Sequence, residues 1–81
     1  MKKALKDERI SKLKQRAERL RADVELLRTE KDTVLEKMTL DELCRVEGQR
    51  IEGQASRLFV TMLHLDEAIT YLSSAEEFDV E

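Results

Sequence analysis

Apolar side chains recur every seven residues along the first half of this chain. Ile10, Ala17, Val24, Lys31 and Met38 share one position of the repeat (a), and Leu13, Leu20, Leu27 and Val34 share a second (d). Such spacing, sustained over about four heptads, predicts a helix whose stripe packs against another helix in a coiled coil. Lys31 alone departs from the stripe. A lysine there either selects register and oligomer state or lays its stem along the seam with the ammonium in water. Heptad spacing resumes in the second half, with Gly48, Ala55, Met62 and Ile69 at a and Cys44, Ile51, Leu58, Leu65 and Leu72 at d. Between the halves, Thr39 is followed three residues later by Glu42. In this spacing the hydroxyl accepts from a first-turn amide while the carboxylate reaches back to the cap amide, so a helix should start here. The pattern divides one domain into a first helix over 1–38, a turn and cap over 39–42, a second helix over 43–75 and a frayed acidic tail over 76–81.

The two stripes suit an all-α fold, an antiparallel two-helix coiled-coil hairpin. When a residues face d residues across such a hairpin, facing residue numbers add to a constant. A constant of 82 sets Leu27 against Ala55, Leu20 against Met62 and Ile10 against Leu72, and 75 is a competing register. The 82 register also brings Arg28 near Glu52, Lys14 near Asp66 and Lys37 near Glu47, all opposite in sign. A parallel homodimer of the first helix would instead oppose Arg9 to Lys14 and Arg16 to Arg21. The predicted intrachain seam is therefore Ile10, Leu13, Ala17, Leu20, Val24, Leu27 and Val34 against Ile51, Ala55, Leu58, Met62, Leu65, Ile69 and Leu72.

Composition agrees. The 81 residues include no proline and two glycines, too few turn formers for an ordinary β domain, and 41% are apolar, too many for a wholly disordered chain. The net charge of −3 conceals an asymmetry: residues 1–37 carry 12 basic and 8 acidic side chains, a net of +4, and residues 38–81 carry 3 and 10, a net of −7. A basic arm lying on an acidic arm accounts for this. A nucleic-acid contact through Lys2, Lys3, Lys6, Arg9, Lys12 and Arg16 is the alternative, although no aromatics interleave and no groove-reading motif is present.

A two-helix seam buries little, so a second apolar surface should also be covered. Leu26, Leu35, Phe59, Val60, Leu63 and Tyr71 lie off the seam and form the predicted oligomer or partner interface. The expected arrangement is a homodimer of hairpins in a four-helix bundle, with tetramers as a further possibility and another protein as partner. No membrane partner is expected, since no apolar run reaches the roughly 18 residues of a span. The lone Cys44 suits a reducing compartment, cytoplasmic or nuclear, and reads as a small seam residue. His64 reads as a surface side chain. No motif for catalysis, cofactor or metal is present, so an enzyme is not expected. Each glycine costs a helix about 0.8 to 1 kcal/mol. Gly48 faces the seam, where a missing Cβ permits close approach; Gly53 either touches another subunit or softens the helix.

Leu13, Arg16, Glu18, Leu20, Arg21, Glu30, Lys31, Leu35 and Glu36 together give the stretch from Leu13 to Met38 a pattern that resembles the N-terminal coiled-coil segment of BAG-domain co-chaperones. Arg50-Ile51-Glu52-Gly53 is faintly similar to a later segment of that family. The resemblance implies a dimerising helical protein that assists nucleotide exchange or client transfer on a DnaK-type heat-shock ATPase. The family's chaperone contact lies in a further helical region that has no counterpart among these residues, so the implied part is the oligomerising arm.

Overall fold

A computed structural model describes residues 8–78. Its described elements are all helical: α1 (Glu8–Glu36), a one-turn α2 (Leu40–Leu43) and α3 (Val46–Phe78). α1 and α3 pack antiparallel along their length into a slender rod of 71 × 14 × 14 Å.

The reversal between them is built by local hydrogen bonds. α1 ends as the amides of Lys37 and Met38 turn to the carbonyls three residues back, Val34 and Leu35, at 3.2 and 3.1 Å. Thr39 then sits in extended backbone, and the expected capping box forms in full. The Thr39 amide donates to Glu42 Oε1 at 2.9 Å and the Glu42 amide to Thr39 Oγ1 at 3.2 Å. Hydrogen bonding to the Glu42 carboxylate by the Thr39 backbone N–H first, and then by the Thr39 side chain, holds that carboxyl below its ordinary range. The helix so capped lasts one turn. The chain bends at Cys44 and Arg45, and α3 starts at Val46 instead of continuing from residue 43. Gly48 makes this bend possible: a Cβ there would lie 2.5 Å from the Glu42 carbonyl oxygen and 2.7 Å from Leu43 Cα. Its close approach is thus to the backbone of α2.

That insertion resets the register. Lys14 meets Glu76, Arg21 meets Asp66, and Arg28 lies over the ring of Phe59, so contacting residue numbers add to 90, 87 and 87. The matching a-to-d constant is 89, one heptad beyond the expected 82. It places Val34 level with Ala55, Leu27 with Met62 and Lys31 with Leu58. A constant of 82 would centre the reversal on Asp41, inside α2; at 89 it falls between Cys44 and Arg45, where the backbone bends. Cys44 consequently leaves the seam and is exposed. At the far end α3 continues through Ser73, Ser74 and Ala75 to Phe78, three residues past the expected end, where Glu76 pairs with Lys14 at 3.1 Å. Asp79 to Glu81 of the acidic tail, and residues 1–7 of the first helix, lie outside the described residues.

Burial is centred on α3. Gly48, Ala55 and Met62, all at a, are its buried residues, with Ala55 7% and Met62 6% exposed. Ile51, Leu58, Leu65, Ile69 and Leu72 are half-buried beside them. α1 buries no residue fully, and it is rolled relative to the expected seam. Its a residues Ile10, Ala17, Val24 and Lys31 are half-buried, as are Met38 just after the helix and Lys14, Arg21, Arg28 and Leu35 at e. Its d residues turn outward: Leu13 is 49% exposed, Leu20 51%, Leu27 43% and Val34 44%. Contacts on one flank draw the helix over. There Arg21 Nε lies 2.6 Å from Asp66 Oδ1 and the Arg28 guanidinium 4.7 Å from the Phe59 ring centre. The other flank of α3 offers the small side chains of Thr61, Ala68 and Ala75.

Candidate interaction surface

Three surfaces present apolar side chains. The first is the outward d row of α1, Leu13, Leu20, Leu27 and Val34. The middle of this row borders a trough of about 370 Å³ in which Leu27 and the Lys31 stem face Leu58, Thr61, Gln54 and Arg57. Thr61 donates its hydroxyl to the carbonyl of Arg57 at 2.8 Å, so its one side-chain donor is satisfied within α3. The trough floor is apolar, with charged and amide groups at its rim, a composition suited to receiving a helix face.

The second surface is the opposite flank. Leu35, half-buried, borders a trough with Arg28, Asp32, Glu52, Ser56 and Phe59. Phe59, Val60 and Leu63 are 43 to 48% exposed and continue around α3 from it. Here Arg28 is held by the Phe59 ring and by Asp32, 3.6 Å away, while Glu52 borders the same trough. The charges expected to bridge the arms have thus changed partners: Lys14 pairs with Glu76, Asp66 with Arg21, and Glu47 with Arg50 in its own helix. The hydrogen bond that Arg21 donates to Asp66 raises the Arg21 pKa further, fixing its charge.

The expected interface residues therefore do not form one patch. Leu35, Phe59, Val60 and Leu63 share this second flank; Leu26, 64% exposed, and Tyr71, 73% exposed, lie on the outer faces of α1 and α3. The d row stands half-exposed at the edge of the seam its spacing predicts, because heptad spacing reveals a stripe but not how a helix is rolled about it.

The third surface is the tip. Leu40 and Val46 are almost wholly exposed, and Leu43, Cys44, Gln49 and Gly53 line an open trough of about 600 Å³. One wall hangs on the one-turn α2 and the other is the start of α3, whereas the first two surfaces rest on the paired long helices.

Of the basic residues considered for nucleic acid, Lys2, Lys3 and Lys6 lie outside the described residues, and Arg9, Lys12 and Arg16 are exposed along α1. His64 is on the surface, its Nδ1 3.3 Å from Glu67 Oε1. Among the described residues no three His, Cys, Asp or Glu side chains are grouped to hold a metal ion, and no helix is long and apolar enough to cross a membrane. Compared with protein-family models, with curated proteins and with solved structures, the chain finds no match.

Proposed function

We propose that this chain is a protein-interaction and oligomerisation module, a helical hairpin that self-associates into a four-helix bundle. One observation carries the reading: four large aliphatic side chains at heptad spacing stand outward on α1, while the buried set of the described hairpin is Gly48, Ala55 and Met62. A hairpin that leaves such large apolar side chains about half exposed to water gains by covering them with a similar helix face. Bundles of paired hairpins provide that cover. The reading rests on these exposed rows and not on likeness to the BAG coiled coil. The exposed, unpaired thiol of Cys44 suits a reducing compartment such as the cytosol.

Sedimentation equilibrium tests the reading. A dimer or larger species is expected at micromolar concentration, with helicity that falls on dilution. A folded monomer throughout that range refutes it.

A further inference from the structure

We infer that the occupant of the α1 d row is a second copy of this chain, docked by an antiparallel α1-to-α1 contact whose twofold axis passes through Leu20. This inference rests on the self-association proposed above and specifies its face, orientation and register.

Charge complementarity carries it. Three basic residues of α1 that flank α3 are engaged within the hairpin: Lys14 with Glu76, Arg21 with Asp66 and Glu25, and Arg28 with Asp32 and Phe59. Those bordering the outward row differ. Arg16, Asp23 and Glu30 are exposed, and none has an ion pair or side-chain hydrogen bond within the described hairpin. Their order is basic, acidic, acidic, and Lys37 continues the row.

A twofold axis perpendicular to the rods lays this row on its own reverse. With Leu20 on the axis, Leu13 meets Leu27 of the second copy, Arg16 meets Asp23 of the second copy, and Arg9 falls beside its Glu30. Among the described residues both kinds of flanking pair are opposite in sign. Centring on Leu27 instead opposes Arg16 to Lys37 and Asp23 to Glu30, both like pairs. Centring between Leu20 and Leu27 sets Asp23 against itself. Stacking α1 on α3 of the second copy opposes the row to Gln54, Thr61 and Ala68, which carry no charge. The Leu20 register alone among these satisfies the flanking charges.

The other half of the face permits the same axis. Level with Leu20, α3 presents Ala68, with Thr61 and Ala75 one heptad to either side. These small side chains let the two α3 helices approach as the α1 rows interdigitate.

A charge cycle and a cross-link test the inference on the full chain. Sedimentation equilibrium at low salt compares the parent with Arg16→Glu, Asp23→Arg and the double reversal. Each single reversal acts at both symmetric contacts and should weaken the dimer about tenfold, and the double should return to within about threefold of the parent. In a Cys44→Ser background, Leu20→Cys should yield a covalent dimer on mild oxidation, since only an on-axis residue meets itself. A dimer whose affinity is indifferent to the reversals, or worsens additively in the double, overturns this arrangement and leaves self-association standing. A parent chain that is monomeric overturns both. Should Leu20→Cys itself weaken association, the charge cycle decides, because its substitutions are confined to exposed side chains.

Discussion

The two glycines of α3 should respond to the same substitution in opposite directions. Alanine at Gly48 adds one methyl group where three backbone atoms already stand at 2.5, 2.7 and 2.8 Å: the Glu42 oxygen, Leu43 Cα and the Leu43 oxygen. Such distances lie well inside van der Waals contact, and backbone cannot yield as a side-chain end can, so α2 must lift away from α3. Forcing a methyl into packed structure costs about 1 to 3 kcal/mol. The better helix propensity of alanine returns at most about 1 kcal/mol. A net loss of up to about 2 kcal/mol follows for Gly48→Ala. At Gly53 the added methyl meets only Arg57 Nη1 at 3.5 Å, an ordinary contact with the end of a flexible side chain. The propensity gain is then uncompensated, and Gly53→Ala should be more stable by roughly 0.5 to 1 kcal/mol. Urea titration followed by far-ultraviolet circular dichroism reads both. Protein concentration must be equal throughout, because association adds to apparent stability. Equal stabilisation by the two alanines would show that α2 does not rest on Gly48 and would refute this account of the tip.

Among the described residues Met62 is the one large side chain buried in the hairpin, so Met62→Ala should cost about 2 to 3 kcal/mol in the same titration. Leu26→Ala, on the outer face, should cost about 0.5 kcal/mol or less, and equal losses would place the core elsewhere. The capping box predicts a pH dependence. Because the folded state lowers the Glu42 pKa, its contribution is complete at neutral pH and is lost as pH falls through that lowered value. The Glu42 carboxyl carbon, followed by nuclear magnetic resonance, should therefore titrate at lower pH in the folded chain than in the urea-unfolded chain; coincident midpoints would discount the cap.

Much of the fold is legible because it is local or periodic. Thr39 and Glu42 announce the cap by spacing alone, and two heptad stripes separated by one break specify an antiparallel pair. Gly48 stands out because a helix interior tolerates glycine only at a cost. The length of the capped helix is not legible: nothing in Leu40 to Arg45 distinguishes one turn ending in a bend from the first turn of α3. This ambiguity propagates. Registers that differ by one heptad all oppose a residues to d residues, so Arg28, Lys14 and Lys37 could be given acidic partners in the wrong one. The roll of α1 is hidden for a related reason. Lys31 and the leucines of the d row share one broad stripe, and which edge turns outward depends on cross-helix contacts such as Arg28 with Phe59. Exposure of Leu13, Leu20 and Leu27, and with it the candidate docking face, is visible only once the arms are placed.

The bend at Cys44 and Arg45 also shapes the folding landscape. A heptad seam is periodic under translation, so sliding one arm past the other by seven residues produces a ladder of wells of similar depth. An insert of fixed length at the reversal lifts that degeneracy: any other well must unwind α2 or draw residues out of a long helix. Loop closure is met once, at a reversal built from contacts close in sequence, and each later layer of the rod closes onto a neighbour already formed. Pairing that grows outward from Gly48 reaches Lys14 and Glu76 last and needs no search among alternative alignments. Lengthening the rod is then a matter of adding a matched heptad to each arm, with the nine residues from Lys37 to Arg45 left untouched.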